Sequence, residues 1–198
     1  MTKFEQLNEL LQAQNGVILT SDLKALGISR AYFSEYAAKK GLERVAHGIY
    51  LAPDAVGDPF FILQARWPQA VISHEAALYL WGLAEREPLP VTVTVKTGYN
   101  ATNLTAAGIK VYKIKQDLYE LGKVEISTPG GHTVTVYDPE RSLCDLFRSR
   151  SQVEVQELHG AMKEYLRWKN RNIPLFLRYA KALRVERVVK PYLEAVLA

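Results

Sequence analysis

Cysteine is almost missing from this sequence, since the 198 residues contain only Cys144. One cysteine excludes an internal disulfide and a zinc site built from several cysteines, and four scattered histidines do not replace them. Long apolar runs are also absent, because no stretch of about eighteen apolar residues occurs. The first residues, MTKFEQLNELLQAQ, are polar and do not resemble a secretory signal. These absences predict a cytoplasmic protein with no membrane span, metal or cofactor.

Most of the chain has no excess of either charge. Residues 1–54 contain six basic and six acidic residues, and residues 55–150 contain ten of each. Residues 151–198 contain nine basic and five acidic residues, so the whole net charge of +4 arises in the last quarter. A hydrophobic content of 48% is enough for a globular core.

The stretch from Asn15 to Leu51 has the pattern of a winged helix-turn-helix. Two short helices are predicted on either side of a tight turn at Gly27. Ser29 can cap the second helix, which we expect to run from Arg30 to about Lys40, and Gly41 suits its left-handed end. The buried face of the motif is predicted to contain Leu23, Leu26, Ile28, Phe33, Tyr36 and Ala37.

A short β-wing is predicted after this helix. Leu42, Val45, Ile49 and Leu51 alternate roughly with Glu43, Arg44, His47 and Tyr50, which predicts that the first set faces inward. Arg44 and His47, near the turn, can lie against phosphate or in a minor groove. A preceding strand is predicted at residues 17–19.

The exposed edge of the second helix is the predicted DNA-reading surface. In helix-turn-helix proteins the N-terminal residues of this helix contact base edges in the major groove. Arg30 can donate to a guanine edge, and Glu35 can accept from cytosine N4. The alternative is a small helical domain that contacts protein instead. The predicted DNA-binding residues are Ser29, Arg30, Ala31, Tyr32, Ser34, Glu35, Lys39, Lys40, Arg44 and His47.

The fold class predicted for the whole chain is α+β. A segment rich in proline and aspartate at residues 52–59 predicts a domain boundary, with a winged helix-turn-helix at residues 1–52 and a second domain at residues 59–198. The second domain is predicted to contain a sheet within residues 59–137 and helices within residues 138–198. We expect the sheet to be antiparallel because its connections are short. The last helix has an apolar stripe that includes Val196, and Pro191 is expected to kink or divide it.

The helical tail carries a basic surface, which we call the basic tail. Nine basic residues lie between positions 163 and 190 against two acidic ones. An ordinary solvated helix surface, a nucleic-acid contact and an acidic protein partner all remain open for it. The residues proposed for a nucleic acid or partner are Lys163, Arg167, Arg178, Lys181, Arg184, Arg187 and Lys190.

Candidate catalytic residues have simpler structural interpretations. Asp138 and Glu140 form a D-x-E pair of the kind that holds Mg²⁺ in nucleotidyltransferases, but Pro139 between them favours a helix start capped by Asp138. Cys144 falls on an apolar helix face, which favours a buried thiol. His74, Glu75 and Asp145 are interpreted as cap neighbours or core-edge carboxylates, so we predict no catalytic or metal-binding residue.

The order of motifs resembles that of the AbiEi family of type IV toxin–antitoxin antitoxins. The similarity consists of a winged motif ending in HGIYL, then ISHEAALYLWGL, a strand-rich middle, VYDPERSLCDLF and a helical tail. The resemblance implies a bacterial protein of abortive infection and phage defence that represses its own operon by binding promoter inverted repeats. It further implies that the C-terminal domain counteracts a nucleotidyltransferase-type toxin without forming a stable complex. The alternative function is a stand-alone winged-helix transcription regulator with a ligand-sensing C-terminal domain.

Overall fold

The computed structural model describes residues 1–197, with side chains described up to Glu194. The side chain of Val196, which was predicted on an apolar stripe, therefore lies outside the described residues. The chain forms two compact units: residues 1–68 with residues 126–134, and residues 69–125 with residues 135–198. The segment predicted as a boundary, residues 52–59, lies within the first unit. No helix among residues 1–197 combines the length and apolar character needed to cross a bilayer.

The first unit begins with three helices and a three-stranded antiparallel sheet of order β1-β3-β2. Helix α1 starts with a capping box in which Thr2 and Glu5 bond each other's backbone amides. The core contains Leu7, Ile18, Leu23, Ile28, Phe33, Tyr36 and Ala37. The elements are α1 (Lys3–Ala13), β1 (Val17–Leu19), α2 (Asp22–Ala25), α3 (Arg30–Lys40), β2 (Glu43–Ala46), β3 (Ile49–Leu51) and α4 (Pro59–Arg66). This arrangement confirms the predicted winged-helix fold and the strand predicted at residues 17–19.

The second unit is organised around helix α8 (Pro139–Arg148). Asp138 caps this helix as predicted, because its Oδ1 accepts from the Arg141 amide at 2.8 Å. Residues 139–147 of α8 are all buried, and α5, α9, α10 and α11 pack against it. The other elements are β4 (Val71–Ile72), α5 (His74–Leu80), β5 (Thr92–Lys96), α6 (Thr102–Ala106), β6 (Lys110–Ile114), α7 (Gln116–Tyr119), β7 (Lys123–Ser127), β8 (Thr133–Tyr137), α9 (Val155–Arg167), α10 (Ile173–Ala182) and α11 (Glu186–Leu197).

The larger sheet has the order β6-β5-β4-β8-β7 and is mixed. Strands β5 and β6 are parallel, as are β4 and β8, whereas β4 and β5 are antiparallel. The expectation of an antiparallel sheet was therefore wrong for two pairs, β5 with β6 and β4 with β8, and correct for β4 with β5. Residues 97–109 are long enough to include helix α6, which lets the chain cross over and return parallel to β5.

Helix α11 is continuous through Pro191, so of the two expected outcomes, a kink or a division, the division does not occur. The predicted α+β class is confirmed, with a small antiparallel sheet near the N-terminus and helices at the C-terminus.

Candidate nucleic-acid interface

The turn before helix α3 fixes where the helix begins. Gly27 has a φ of +62°, a conformation that few residues other than glycine adopt, and Ile28 after it is buried. The Ser29 hydroxyl then accepts a hydrogen bond from the Tyr32 amide at 3.3 Å. This cap satisfies one of the free N–H groups of the first turn and fixes the direction of Arg30, the first helical residue.

The buried face of α3 prevents the helix from rotating. Phe33 and Tyr36 are almost fully buried, and the Tyr36 hydroxyl donates to Asn8 Oδ1 at 3.0 Å. The Phe33 ring also meets the Tyr50 ring edge to face, with 4.9 Å between centroids. Each buried aromatic side chain stabilises the packed position by roughly 1.5–3 kcal/mol relative to exposure. The opposite face is therefore presented in one orientation.

Four of the predicted DNA-reading residues lie together on that exposed face. Arg30, Ala31, Ser34 and Glu35 are all exposed, and their spacing places them on one side of the helix. Tyr32 is only half-buried, packs against the core of the first unit, and has the Lys3 ammonium 5.9 Å above its ring. Sequence reasoning missed Ala38, which is exposed four residues after Ser34 on the same face. Its small side chain leaves room for close approach, and the i, i+4 spacing was the available signal.

Lys39 and Lys40 lie at the far end of α3 from Arg30. Their ammonium groups are 5.0 and 5.4 Å from the centre of the Phe4 ring, and both side chains are exposed. At a rise of 1.5 Å per residue, this end is roughly 15 Å from Arg30. Positive charge near the C-terminus of a helix is also stabilised by the helix dipole. These lysines are consequently suited to phosphate contacts and not to base reading with Arg30.

The wing differs from the predicted pattern in two positions. A register shift between Arg44 and Ala46 in strand β2 leaves Val45 38% exposed, although it was predicted to face inward. Tyr50, predicted to face outward, packs against the core of the first unit. A β-bulge turns the side chains of the bulged strand out of strict alternation, which explains the exposure of Val45 in β2. Arg44 and His47 are exposed, as the proposed phosphate or minor-groove contacts require.

Residues 5–53, which contain this motif, match the family model described as "Transcriptional regulator, AbiEi antitoxin". The resemblance to AbiEi antitoxins is confirmed. Among solved structures, the chain is similar to the RV2827C protein from Mycobacterium tuberculosis, with 13% identity and a TM-score of 0.49 over 94% of this chain and 78% of that chain. A comparison with curated proteins found no significant match.

Outside the AbiEi-type region, the basic tail is exposed at every predicted position. Arg167 pairs with Glu164 at 3.3 Å and Lys190 with Glu186 at 2.8 Å. Among the residues whose side chains are described, the other predicted cations form no ion pair. Those cations are Lys163, Arg178, Lys181, Arg184 and Arg187. Five cations thus remain available for an anionic surface.

The carboxylates considered for metal binding are used inside the fold. Asp138 Oδ2 accepts from the Tyr179 hydroxyl at 3.0 Å, while its Oδ1 caps α8. Glu140 Oε1 accepts from the Tyr165 hydroxyl at 2.8 Å and from the Asn172 amide at 2.9 Å. No group of three or more potential metal ligands occurs among the described residues. These two carboxylates hold α8, α9 and α10 together.

Three further candidates are buried. Asp145 was predicted at the core edge but is fully buried, with its Oδ2 2.9 Å from the Nε of Arg141. His74 follows Ser73, the residue before α5, and its Nδ1 contacts the Ser73 hydroxyl, which does not cap the helix. Cys144 is buried as predicted, and burial raises the pKa of its thiol, which disfavours the reactive thiolate.

Proposed function

We propose that this protein is an AbiEi-type antitoxin that represses its own operon by binding inverted repeats in the promoter. The observation that carries this proposal is the exposed edge of α3, where Arg30, Ala31, Ser34 and Glu35 face outward from a helix locked by its cap and core. The match of residues 5–53 to AbiEi antitoxin transcriptional regulators supports the same conclusion.

In this proposal the first turns of α3 enter the major groove, and the wing contacts the backbone beside it. Arg30 donates two hydrogen bonds to a guanine edge, Glu35 accepts from a cytosine amino group, and Ser34 bonds either kind of base. Ser29 contributes through its backbone and cap at the helix N-terminus, where partial positive charge favours a phosphate. Arg44, His47, Lys39 and Lys40 supply phosphate contacts, which position the helix without reading sequence.

The second part of the proposed function is to counteract a nucleotidyltransferase-type toxin encoded beside it, without a stable complex between the two. The family described for residues 5–53 supports the antitoxin role in general. The toxin-directed activity belongs, in this proposal, to the residues that follow the winged helix. A nucleotidyltransferase gene next to the operator would separate this role from that of a stand-alone regulator.

The DNA-reading part is tested with the variant Arg30→Ala. Loss of a bidentate guanine contact costs about 1–3 kcal/mol, which weakens operator binding by roughly 5–150-fold. Binding of the full chain to its own promoter fragment is measured by fluorescence anisotropy, with a scrambled fragment alongside. Arg86→Ala is the control, because Arg86 is exposed in the second unit and forms no ion pair among the described residues. Equal operator affinity in wild type and Arg30→Ala would contradict the proposal.

The toxin-directed part is tested by co-expressing the neighbouring toxin with wild type or Arg30→Ala. We expect Arg30→Ala to lose repression of a promoter reporter while still rescuing growth. Failure of wild type to rescue growth, with repression intact, would leave a regulator and remove the antitoxin role.

A further inference from the structure

A cavity of about 190 Å³ lies within the second unit, and none of its lining residues is among those proposed to bind DNA. It is formed by α5, β5, β6, the end of α8 and the loop that follows. Its lining residues are His74, Thr94, Tyr112, Lys113, Ile114, Asp145, Arg148, Ser149, Ser151 and Gln152. One water occupies about 30 Å³ of liquid, so the space holds roughly six waters. This is below the 300–1,000 Å³ typical of drug-sized ligand sites and suits a small molecule.

His74 is held at this cavity in a strained backbone conformation. Its φ is +53°, in a region that residues with a side chain rarely occupy, and only 3% of the residue is exposed. The imidazole is stacked on the Tyr112 ring, with 3.7 Å between centroids and an interplanar angle of 15°. Backbone strain of this kind clusters at functional sites.

A chain of hydroxyl groups fixes the orientation of the His74 ring. The Thr94 hydroxyl donates to Ser73 Oγ at 2.8 Å, and Ser73 Oγ is 2.9 Å from His74 Nδ1. Nε2 is 3.3 Å from Ser149 Oγ. Burial lowers the pKa of His74 well below its ordinary value, and nearby Lys110, Arg141 and Arg148 add to the effect. With a neutral ring that accepts from Ser73, Nε2–H donates to Ser149, which frees the Ser149 hydroxyl hydrogen for a ligand.

The charges at the cavity favour an anion. Lys113 and Arg148 are both exposed, and neither forms an ion pair among the residues whose side chains are described. The one carboxylate in the lining, Asp145, is already paired with the buried Arg141. Lys110 is not counted, since Glu75 and Glu157 oppose its charge. Two cations without an ion pair among the described side chains therefore border a space that several hydroxyl groups line.

We propose that this cavity binds a small oxyanion of the size of a phosphate monoester. Arg148 and Lys113 form ion pairs with the anionic oxygens. The guanidinium group of Arg148 can form two parallel hydrogen bonds to a phosphate, a bidentate contact. Ser149, Ser151 and the Gln152 amide donate hydrogen bonds inside the cavity. The site does not depend on DNA reading by α3, and its occupant is a free small anion or a phosphorylated metabolite.

Isothermal titration calorimetry on the full chain, without DNA, tests this site. The probes are inorganic phosphate, ribose 5-phosphate and uncharged ribose, all at the same ionic strength. We expect saturable binding of at least one phosphorylated probe and none of ribose. Arg148→Gln and Lys113→Gln should each weaken it by about tenfold, the value of one charge-assisted hydrogen bond. Tighter binding of ribose 5-phosphate identifies a phosphorylated metabolite, and equal binding identifies free phosphate.

Two matched substitutions control for general charge effects. Arg86→Gln and Lys115→Gln remove exposed cations that do not line the cavity, so both should bind like wild type. The proposal is overturned if wild type shows no saturable binding. It is also overturned if all four glutamine variants weaken binding equally, because the anion would then be responding to net charge. Every substituted residue is exposed, so the variants should fold normally.

Discussion

His132 sits in a buried cluster of the first unit, and its removal should loosen a defined part of that unit. Its Nδ1 is 3.0 Å from Asp58 Oδ2 and its Nε2 is 3.1 Å from the carbonyl oxygen of Gln14. Both neighbours are acceptors, so the ring N–H groups can donate to either, and the contact with Asp58 is an ion pair when the ring is protonated. The ring also stacks on Phe61 at 4.2 Å between centroids. This cluster ties residues 126–134 to the start of α4.

We expect His132→Ala to cost about 3 kcal/mol in local stability. Removing one partner of a buried ion pair costs about 3–5 kcal/mol. The lower end applies because Asp58 keeps two donors, the Phe61 amide at 3.0 Å and the Thr128 hydroxyl. At about 1.4 kcal/mol per tenfold, the change corresponds to roughly a hundredfold loss of protection against amide exchange.

Hydrogen–deuterium exchange of the full chain measures this loss by region. Peptides covering residues 58–66 and 126–134 should exchange faster, while peptides from α8 should not change. His47→Ala is the control, because His47 is an exposed histidine in the wing turn. In an Asp58→Asn background, which keeps a capping side chain for α4, His132→Ala should cost only about 1–1.5 kcal/mol. An identical cost in both backgrounds would refute the ion pair as the source of the stability.

Three further predictions concern buried and surface charge. Arg141→Met should cost about 3–5 kcal/mol in chemical denaturation, because Asp145 then stays buried without a partner, and the double variant with Asp145→Leu should cost clearly less. Burial raises the pKa of Asp138 from 3.8 to about 6, so the folded state loses stability from this group as pH rises through that range. Between pH 4 and 7 the unfolding free energy of wild type should therefore fall relative to that of Asp138→Asn, measured by chemical denaturation at each pH. Three cations of the basic tail, Arg178, Lys181 and Arg187, can be replaced together with glutamine. If all three contact operator phosphates, the slope of log affinity against log salt should fall by up to about 2.7, whereas an unchanged slope would exclude that contact.

Local signals allowed the sequence to predict much of the first unit. The cap at Ser29 and the left-handed Gly41 each depend on residues within four positions of one another. The cap at Asp138 followed by Pro139 is equally local. Such features are set by backbone groups that contiguous side chains satisfy, so no knowledge of distant packing is needed.

Long-range packing defined the features that the sequence did not predict. His132 and Asp58 are 74 positions apart, and nothing in either segment indicates the other as its partner. Arg141 is fully buried because the carbonyls of Leu118 and Leu121 accept from its Nη1 at 2.6 and 2.7 Å. A sequence pattern assigns arginine to the surface, since burial needs acceptors that only the folded chain brings together.

Of the two candidate sites, one depends on local sequence and the other on long-range packing. The exposed edge of α3 was predictable because helical periodicity separates it from Phe33 and Tyr36 within eleven residues. The cavity at His74 was not, since five segments of the second unit contribute to its lining. The alternation rule failed in the wing because one bulge in β2 shifts the register between Arg44 and Ala46.

The proposed DNA-reading surface carries nearly equal positive and negative charge, and this limits the salt dependence of its binding to DNA. Arg30 and Arg44 are opposed by Glu35 and Glu43, all four being exposed. Each phosphate neutralised by a cation adds about 0.9 to the salt slope, so Arg44, Lys39 and Lys40 together support a slope near 3. Base contacts by Arg30 and Glu35 add specificity but little salt dependence. A measured slope well above about 3 per chain therefore requires further phosphate contacts, either from the exposed Lys3 and Lys24 of the first unit or from the unpaired cations of the basic tail. The glutamine variants of Arg178, Lys181 and Arg187 distinguish these two sources, because only a contact by the basic tail makes the slope fall in them.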